Sequence, residues 1–264
     1  MIPVTVKRGS SPIVLGLPHT GTFVPNDVMV KLNENGRKLA DTDWHIDRLY
    51  DGLLPELTTV RANFHRYVID ANRDPTGASL YPGQTTTTLV PLTDFDGVDI
   101  WNTPPSDIAA LCAAFHAPYH AALAAELSRV RDLHGVAILY DCHSIRSNIP
   151  FLFDGTLPDF NIGTDNGKTC TPEVAAATHA ICAAANGYSS VMNGRFRGGW
   201  TTRHYGRPDA GVQSIQMELA QFTYLNDEAA PWTYDETKAA RLRPHLAEIL
   251  TTLADMAPPF GGKS

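Results

Sequence analysis

Residues 136–144 read Val136-Ala137-Ile138-Leu139-Tyr140-Asp141-Cys142-His143-Ser144. Five apolar residues in succession suit a strand buried on both faces, as in a parallel sheet covered by helices. The run then passes into chemically capable side chains, and ligand sites in open α/β sheets lie at such strand ends. Asp141 and His143 are two apart and share one face of an extended chain, so Asp141 is placed to orient the His143 ring. Cys142 points to the opposite face and cannot form a dyad with His143.

The pattern recurs on either side. Ile13 to Leu17 is an apolar run that ends at Pro18-His19-Thr20-Gly21, and Val212 to Leu219 is another that carries Glu218. Thr58 to Ala62, Tyr67 to Asp70 and Ser189 to Met192 read as further strands. Val28 to Leu32, Asp41 to Leu54, Ser106 to Leu133, Pro172 to Ala185 and Asp235 to Met256 read as helices. The third of these is interrupted by Pro118 and stopped by Gly135. Residues 72–105, 144–171 and 194–211 show no period and read as loops. Strand–helix alternation predicts a single α/β domain over residues 1–264, a mixed, mostly parallel sheet with helices on both faces.

Composition removes several function classes. The 264 residues carry 21 Lys+Arg against 28 Asp+Glu, a formal charge of -7. Such a chain lacks the basic surface that nucleic acid requires, and it is not a polybasic membrane binder. No stretch of sequence reads as a membrane span, and the start has no secretory pattern. The four cysteines form no CxxC pair, which fits reduced thiols and a cytoplasmic location. Oligomeric state is left open.

The capable residues form a consistent set. If the three strands are parallel, His19, His143 and Glu218 gather at one edge. Two histidines and a carboxylate are a common catalytic zinc set with one position left for water. The carboxylate is expected from Asp41-Thr42-Asp43-Trp44-His45-Ile46-Asp47. Asp43 is preferred as the ligand and Asp47 as its neighbour, because Asp43 lies closer to the apolar stripe of the expected helix. Glu218, alone in an apolar strand, is costly unless it is paired or functional, and it is the candidate general base. Asn72 and Arg73 follow the run ending at Asp70, and Arg146 follows His143. Arg195, Arg197, Arg203 and His204 crowd one Gly-rich loop. Guanidinium groups suit carboxylates, so a small anionic substrate is expected, with Arg73, Arg146 and Arg197 as holders. An arginine or His204 is expected to stabilise the oxyanion. His116 and His120 share a helix face and read as scaffold.

These motifs, in order, resemble the N-formylglutamate deformylase (N-formylglutamate amidohydrolase) family. The matching blocks are 18–21, 41–47, 66–73, 79–85, 141–146, 198–206 and 216–221. The resemblance implies hydrolysis of N-formyl-L-glutamate to formate and L-glutamate, in histidine degradation. It also implies a fold similar to zinc carboxypeptidases and aminoacylases (phosphorylase/hydrolase-like). In that wider group a glutamate three residues after the first histidine binds zinc. Here that position is Thr22, so the third ligand must come from elsewhere. A sister N-acyl amino acid hydrolase, a carboxypeptidase-like enzyme and a non-catalytic carboxylate binder are the alternatives.

Overall fold

A computed structural model describes residues 1–79 and 86–261. Of the block 79–85, only Ser79 therefore lies within the described residues. Seven strands form one sheet: β1 (Val4–Lys7), β2 (Ile13–Leu17), β3 (Thr58–Ala62), β4 (Ala137–Ile145), β5 (Phe160–Gly163), β6 (Ser190–Met192) and β7 (Val212–Ala220). Their spatial order is β1-β3-β2-β4-β7-β5-β6. β3, β2, β4 and β7 run parallel to one another, whereas β1 on β3 and β5 on β7 are antiparallel. The α-helices are α1 (Asn26–Met29), α2 (Ile46–Tyr50), α3 (Ile108–Leu111), α4 (Ala117–His134), α5 (Pro172–Ala184), α6 (Trp200–Tyr205) and α7 (Glu236–Gly261). The single mixed α/β domain is the architecture that the alternation implied.

Strand parity assigns the two cores. Ile138, Tyr140 and Cys142 of β4 join Ile13, Leu15, Ile215 and Met217 under α7, α5 and α2, where Leu246, Ile249 and Leu253 pack. Ala137 and Leu139 face the other way, with Val14 and Val60, against Tyr119, Leu123, Leu127 and Val130 of α4. All nine residues of β4 are buried. Asp141 and His143 share the parity of Leu139, so they continue the α4 side of the sheet beyond its apolar part.

The helix over α3 and α4 is continuous but not uniform. Asp107 caps it, its side chain accepting from Ala110 N–H. One π-helical turn, Cys112–His116, separates α3 from α4, and Pro118 sits just inside α4. A proline cannot donate to the preceding turn, and one wider turn absorbs that defect without splitting the helix. Gly135, at φ 75°, ends α4 in the left-handed conformation that glycine adopts freely. The segment Ile108–His134 is long and apolar enough, by length and composition, to cross a membrane, with mean hydropathy 1.4 in its most apolar window. This corrects the expectation that no stretch reads as a span. In the fold, one face of this segment covers the sheet.

Other sequence expectations are corrected as well. Tyr67 to Asp70 is a buried turn, opened by Tyr67 N–H on His65 Nδ1 and Val68 N–H on His65 O. Its β-branched residues fill the core without pairing. The Asp41–Leu54 helix shrinks to α2, because His45 takes a left-handed φ of 59° immediately before it. β1, β5 and α6 lie where no element was expected.

Leu123 is fully buried between α4 and the sheet. Leu123→Ala should lower unfolding free energy by about 2–5 kcal/mol, measured as the shift in denaturant midpoint, with activity per folded molecule retained.

Candidate metal centre and active site

The parallel run β2-β4-β7 aligns three chemically capable ends. His143 of β4 lies directly opposite Glu218 of β7 in the strand register. The strand extends beyond the apolar run to Ile145, so pairing with β7 fixes the direction of His143. His19 follows the neighbouring β2, and its ring centroid is 5.0 Å from that of His143. Asp43 enters from the segment before α2, anchored by its N–H on His19 O at 3.1 Å.

Asp43 Oδ2 lies 3.6 Å from His19 Nδ1 and 3.3 Å from His143 Nδ1. One ligand atom from each of these three buried residues falls within 4.8 Å of the others. Each ring presents Nδ1 inward and rests Nε2 on a carboxylate. His19 Nε2 meets Asp70 Oδ1 at 2.7 Å, and His143 Nε2 meets Asp141 Oδ1 at 3.1 Å. This is the arrangement of metal-ligating imidazoles whose far nitrogen is held by a carboxylate. His19 Nδ1 is buried and has no hydrogen-bond partner. A divalent cation fits a group made of that orphaned nitrogen, His143 Nδ1 and Asp43 Oδ2, and His/His/Asp is a zinc-type combination.

Several contributors were not singled out from sequence. Asp70 accepts from His19 and also from Asn72 N–H at 2.8 Å. Thr202 Oγ1 donates to Asp141 Oδ2 at 2.8 Å. Arg66, buried at 6% exposure, donates to Asp43 Oδ1 at 3.1 Å. Ser144 N–H donates to Asp43 Oδ2 at 3.2 Å. The runs Asp70-Ala71-Asn72-Arg73 and Thr201-Thr202-Arg203-His204 drew attention, but their inward-facing members depend on tertiary packing.

The electrostatics follow from burial and charge. Burial alone would raise the Asp43 carboxyl, but Arg66 and His19 outweigh it and hold the group below its ordinary range. Burial likewise opposes charge on His143, yet Asp141 and Asp43 raise its pKa well above the usual imidazole value. For Glu218, burial outweighs the opposing influence of His143 and Arg66. Burial pushes its carboxyl up to about 8, and Gln216 Nε2 donates to its Oε2 at 3.1 Å.

A cavity opens over this edge, lined by His19, His143, Glu218, Arg66, Asn72 and Arg73 on its polar side. Phe95, Ile145, Leu152 and Phe196 form the apolar side. Arg73 is held by Thr87, with Nε on the carbonyl oxygen at 2.8 Å and Nη2 on Oγ1 at 2.6 Å. Arg195 also lines the cavity.

Four expected site residues lie elsewhere. Asp47 forms an ion pair with Arg61 at 2.5 Å and is 35% exposed. The helix that would have aligned it with Asp43 begins only at Ile46. Arg146 is turned to Asp96 at 2.8 Å and does not line the cavity. Arg197 is exposed, with Nε on Gly194 O, and its neighbour Arg195 takes the cavity position. His204 is exposed and stacks on Trp200 at 4.3 Å, because Thr201 and Thr202 occupy the buried side of α6.

Asp70→Asn and Asp141→Asn should each weaken divalent-cation affinity by about 10–100-fold, measured by competition with a chromophoric chelator. Asp47→Asn should leave that affinity unchanged.

Comparison with known proteins now bears on this geometry. The chain matches the family described as N-formylglutamate amidohydrolase over residues 11–225. It is 46% identical over 256 residues to N-formylglutamate deformylase of Pseudomonas aeruginosa, covering 95% of each chain. It is 44% identical to the protein of the same name from Pseudomonas putida, again over 95% of each. The crystal structure of N-formylglutamate amidohydrolase from Ralstonia eutropha JMP134 shares the fold, with a TM-score of 0.81 at 24% identity, covering 98% of this chain and 99% of that one. With two close relatives and a family match over most of its length, the chain belongs to the N-formylglutamate amidohydrolase family.

Proposed function

We propose that this chain hydrolyses N-formyl-L-glutamate to formate and L-glutamate as a cytoplasmic enzyme of histidine degradation, with one zinc ion held by His19, Asp43 and His143. The observation that carries the reading is the buried His19–Asp43–His143 group with Glu218 beside it in strand register. It occurs in a chain 46% identical to a protein named N-formylglutamate deformylase.

When bound, a divalent ion supplies Lewis acidity: it polarises a carbonyl oxygen and acidifies water. The remaining chemistry falls to the side chains. Glu218, raised by burial and ionised once a neighbouring cation offsets that burial, takes a proton from the attacking water and returns it to the leaving amine. Arg66, rather than His204, lines the cavity and offsets negative charge developing on the formyl oxygen. Arg73 and Arg195 face the cavity as the holders of the glutamate carboxylates, assisted by Asn72. Asp70 and Asp141 keep both imidazoles in one orientation throughout.

Formate release from N-formyl-L-glutamate tests the activity. It should cease on chelation and return with zinc. Glu218→Gln should lower kcat by about 10²–10⁴ while changing zinc affinity by no more than a few-fold. Near-normal turnover in that variant would remove Glu218 from the mechanism. Full activity in metal-stripped protein would remove the metal.

The protonation states give a second test. With a pKa of about 8, Glu218 holds its proton at pH 7 in the metal-free protein, and Asp141 and Asp43 raise the His143 pKa well above its ordinary value against burial, which favours the protonated ring. Metal ligation requires a neutral imidazole, so binding must release protons. Calorimetric titration with zinc at pH 7 should show an apparent enthalpy that depends on the buffer's ionisation enthalpy. The part of that dependence contributed by Glu218 should shrink as pH rises past 8. An enthalpy independent of buffer at pH 7 contradicts the assignment.

A further inference from the structure

Two histidines remain outside this mechanism. His116 and His120 project from one face of the long helix, at the π-helical turn and the first turn of α4, with ring centroids 4.4 Å apart. His116 Nε2 lies 3.0 Å from Arg73 O, and His120 Nε2 lies 2.7 Å from Ala71 O. A carbonyl oxygen only accepts, so each Nε2 carries a hydrogen and donates it. Burial lowers the pKa of both rings, that of His120 to about 3, and both are neutral donors at ordinary pH.

The carbonyls they hold flank Asn72. The intervening one, Asn72 O, accepts from Arg73 Nη1 at 2.9 Å. Asn72 is gripped from its far side by α6: Thr201 N–H donates to Asn72 Oδ1 at 2.8 Å. A Cβ on Gly199 would lie 2.2 Å from Asn72 Nδ2, so only glycine permits that approach. Trp200 packs on both imidazoles, at 5.6 and 4.7 Å between centroids, and carries His204 on its other contact. The turn thus sits between helix α4 and helix α6, with each of its three carbonyls satisfied by a side chain.

We propose that His116 and His120 are positioning residues for the substrate's carboxylate end: by fixing the backbone on both sides of Asn72, they aim Asn72 and Arg73 into the cavity. The proposal rests on the reading of Arg73 as a carboxylate holder. The π-helical turn belongs to this device, because it sets where His116 leaves the helix relative to His120. Neither histidine contacts the reacting atoms, so their loss affects binding more than chemistry.

The test is His116→Ala beside His116→Gln, whose amide N–H can still donate to Arg73 O. In His116→Ala the KM for N-formyl-L-glutamate should rise about tenfold, as expected for an unsatisfied buried carbonyl beside a loosened arginine. The kcat should stay within about threefold, zinc affinity should change by no more than a few-fold, since Asn72 also touches Asp70 and His143, and the Kd of the product L-glutamate should weaken in step with KM. His116→Gln should recover most of the loss. A fall in kcat at constant KM, or a Gln variant no better than the Ala variant at equal thermal midpoint, overturns the proposal. If the Ala variant does not fold, His116→Asn, with a shorter reach to the carbonyl, replaces it against His116→Gln. Absence of formate release by the parent protein would fault the functional reading instead. In that event, crystal structures of the parent and variant decide the positioning claim: an Arg73 guanidinium unmoved from Thr87 overturns it, and a displaced one sustains it.

Discussion

Four carboxylates, those of Asp43, Asp70, Asp141 and Glu218, are withdrawn from water at one edge of the sheet, each at 7% exposure or less. Among the described residues, Arg66 is the one buried guanidinium. Burying unpaired charge is strongly unfavourable, so this concentration must be compensated by partners. Two imidazoles, one arginine and the edge of Arg73 meet most of the requirement in the protein alone. The remainder shows in the opposed shifts of Asp43, held low, and Glu218, pushed up to about 8. A divalent cation held by His19, Asp43 and His143 would supply what is missing.

The sheet makes this concentration possible. β4 and β7 are each nine residues long and paired over their full length, so His143 and Glu218 are neighbours by register. Their separation is set by the spacing of parallel strands. Side chains on loops meet this rigid edge from the outside: His19 after β2, Asp43 before α2, and Asn72 and Arg73 at a turn clasped between α4 and α6. β4 and β7 carry His143 and Glu218, whereas His19, Asp43 and the cavity-facing Asn72 and Arg73 come from loops. Such a division permits different substrates on one scaffold.

Much of this was legible in the residues themselves. The alternating parity of Asp141 and His143, the isolated Glu218 in an apolar run, and the His19 turn each follow from the period of an extended chain. Asp43 faces inward without the helix that its spacing implies, because α2 starts only at Ile46, after a left-handed His45. The same shortening sends Asp47 to Arg61. Arginines were the least legible feature. Arg66 and Arg195 line the cavity while Arg146 and Arg197 do not, and nothing in local spacing distinguishes them. Their directions are set by partners distant in sequence, Asp43 for Arg66 and Asp96 for Arg146. β5 was hidden because a four-residue strand inside a polar stretch has no period of its own.

Joint binding of one divalent ion by His19, Asp43 and His143 underlies the proposed chemistry. Anomalous diffraction from zinc-loaded crystals, recorded on either side of the zinc absorption edge, tests it most directly. The account predicts one anomalous peak in contact with His19 Nδ1, His143 Nδ1 and Asp43 Oδ2, with Glu218 adjacent. No peak at that place, or a peak ligated by other residues, would contradict it.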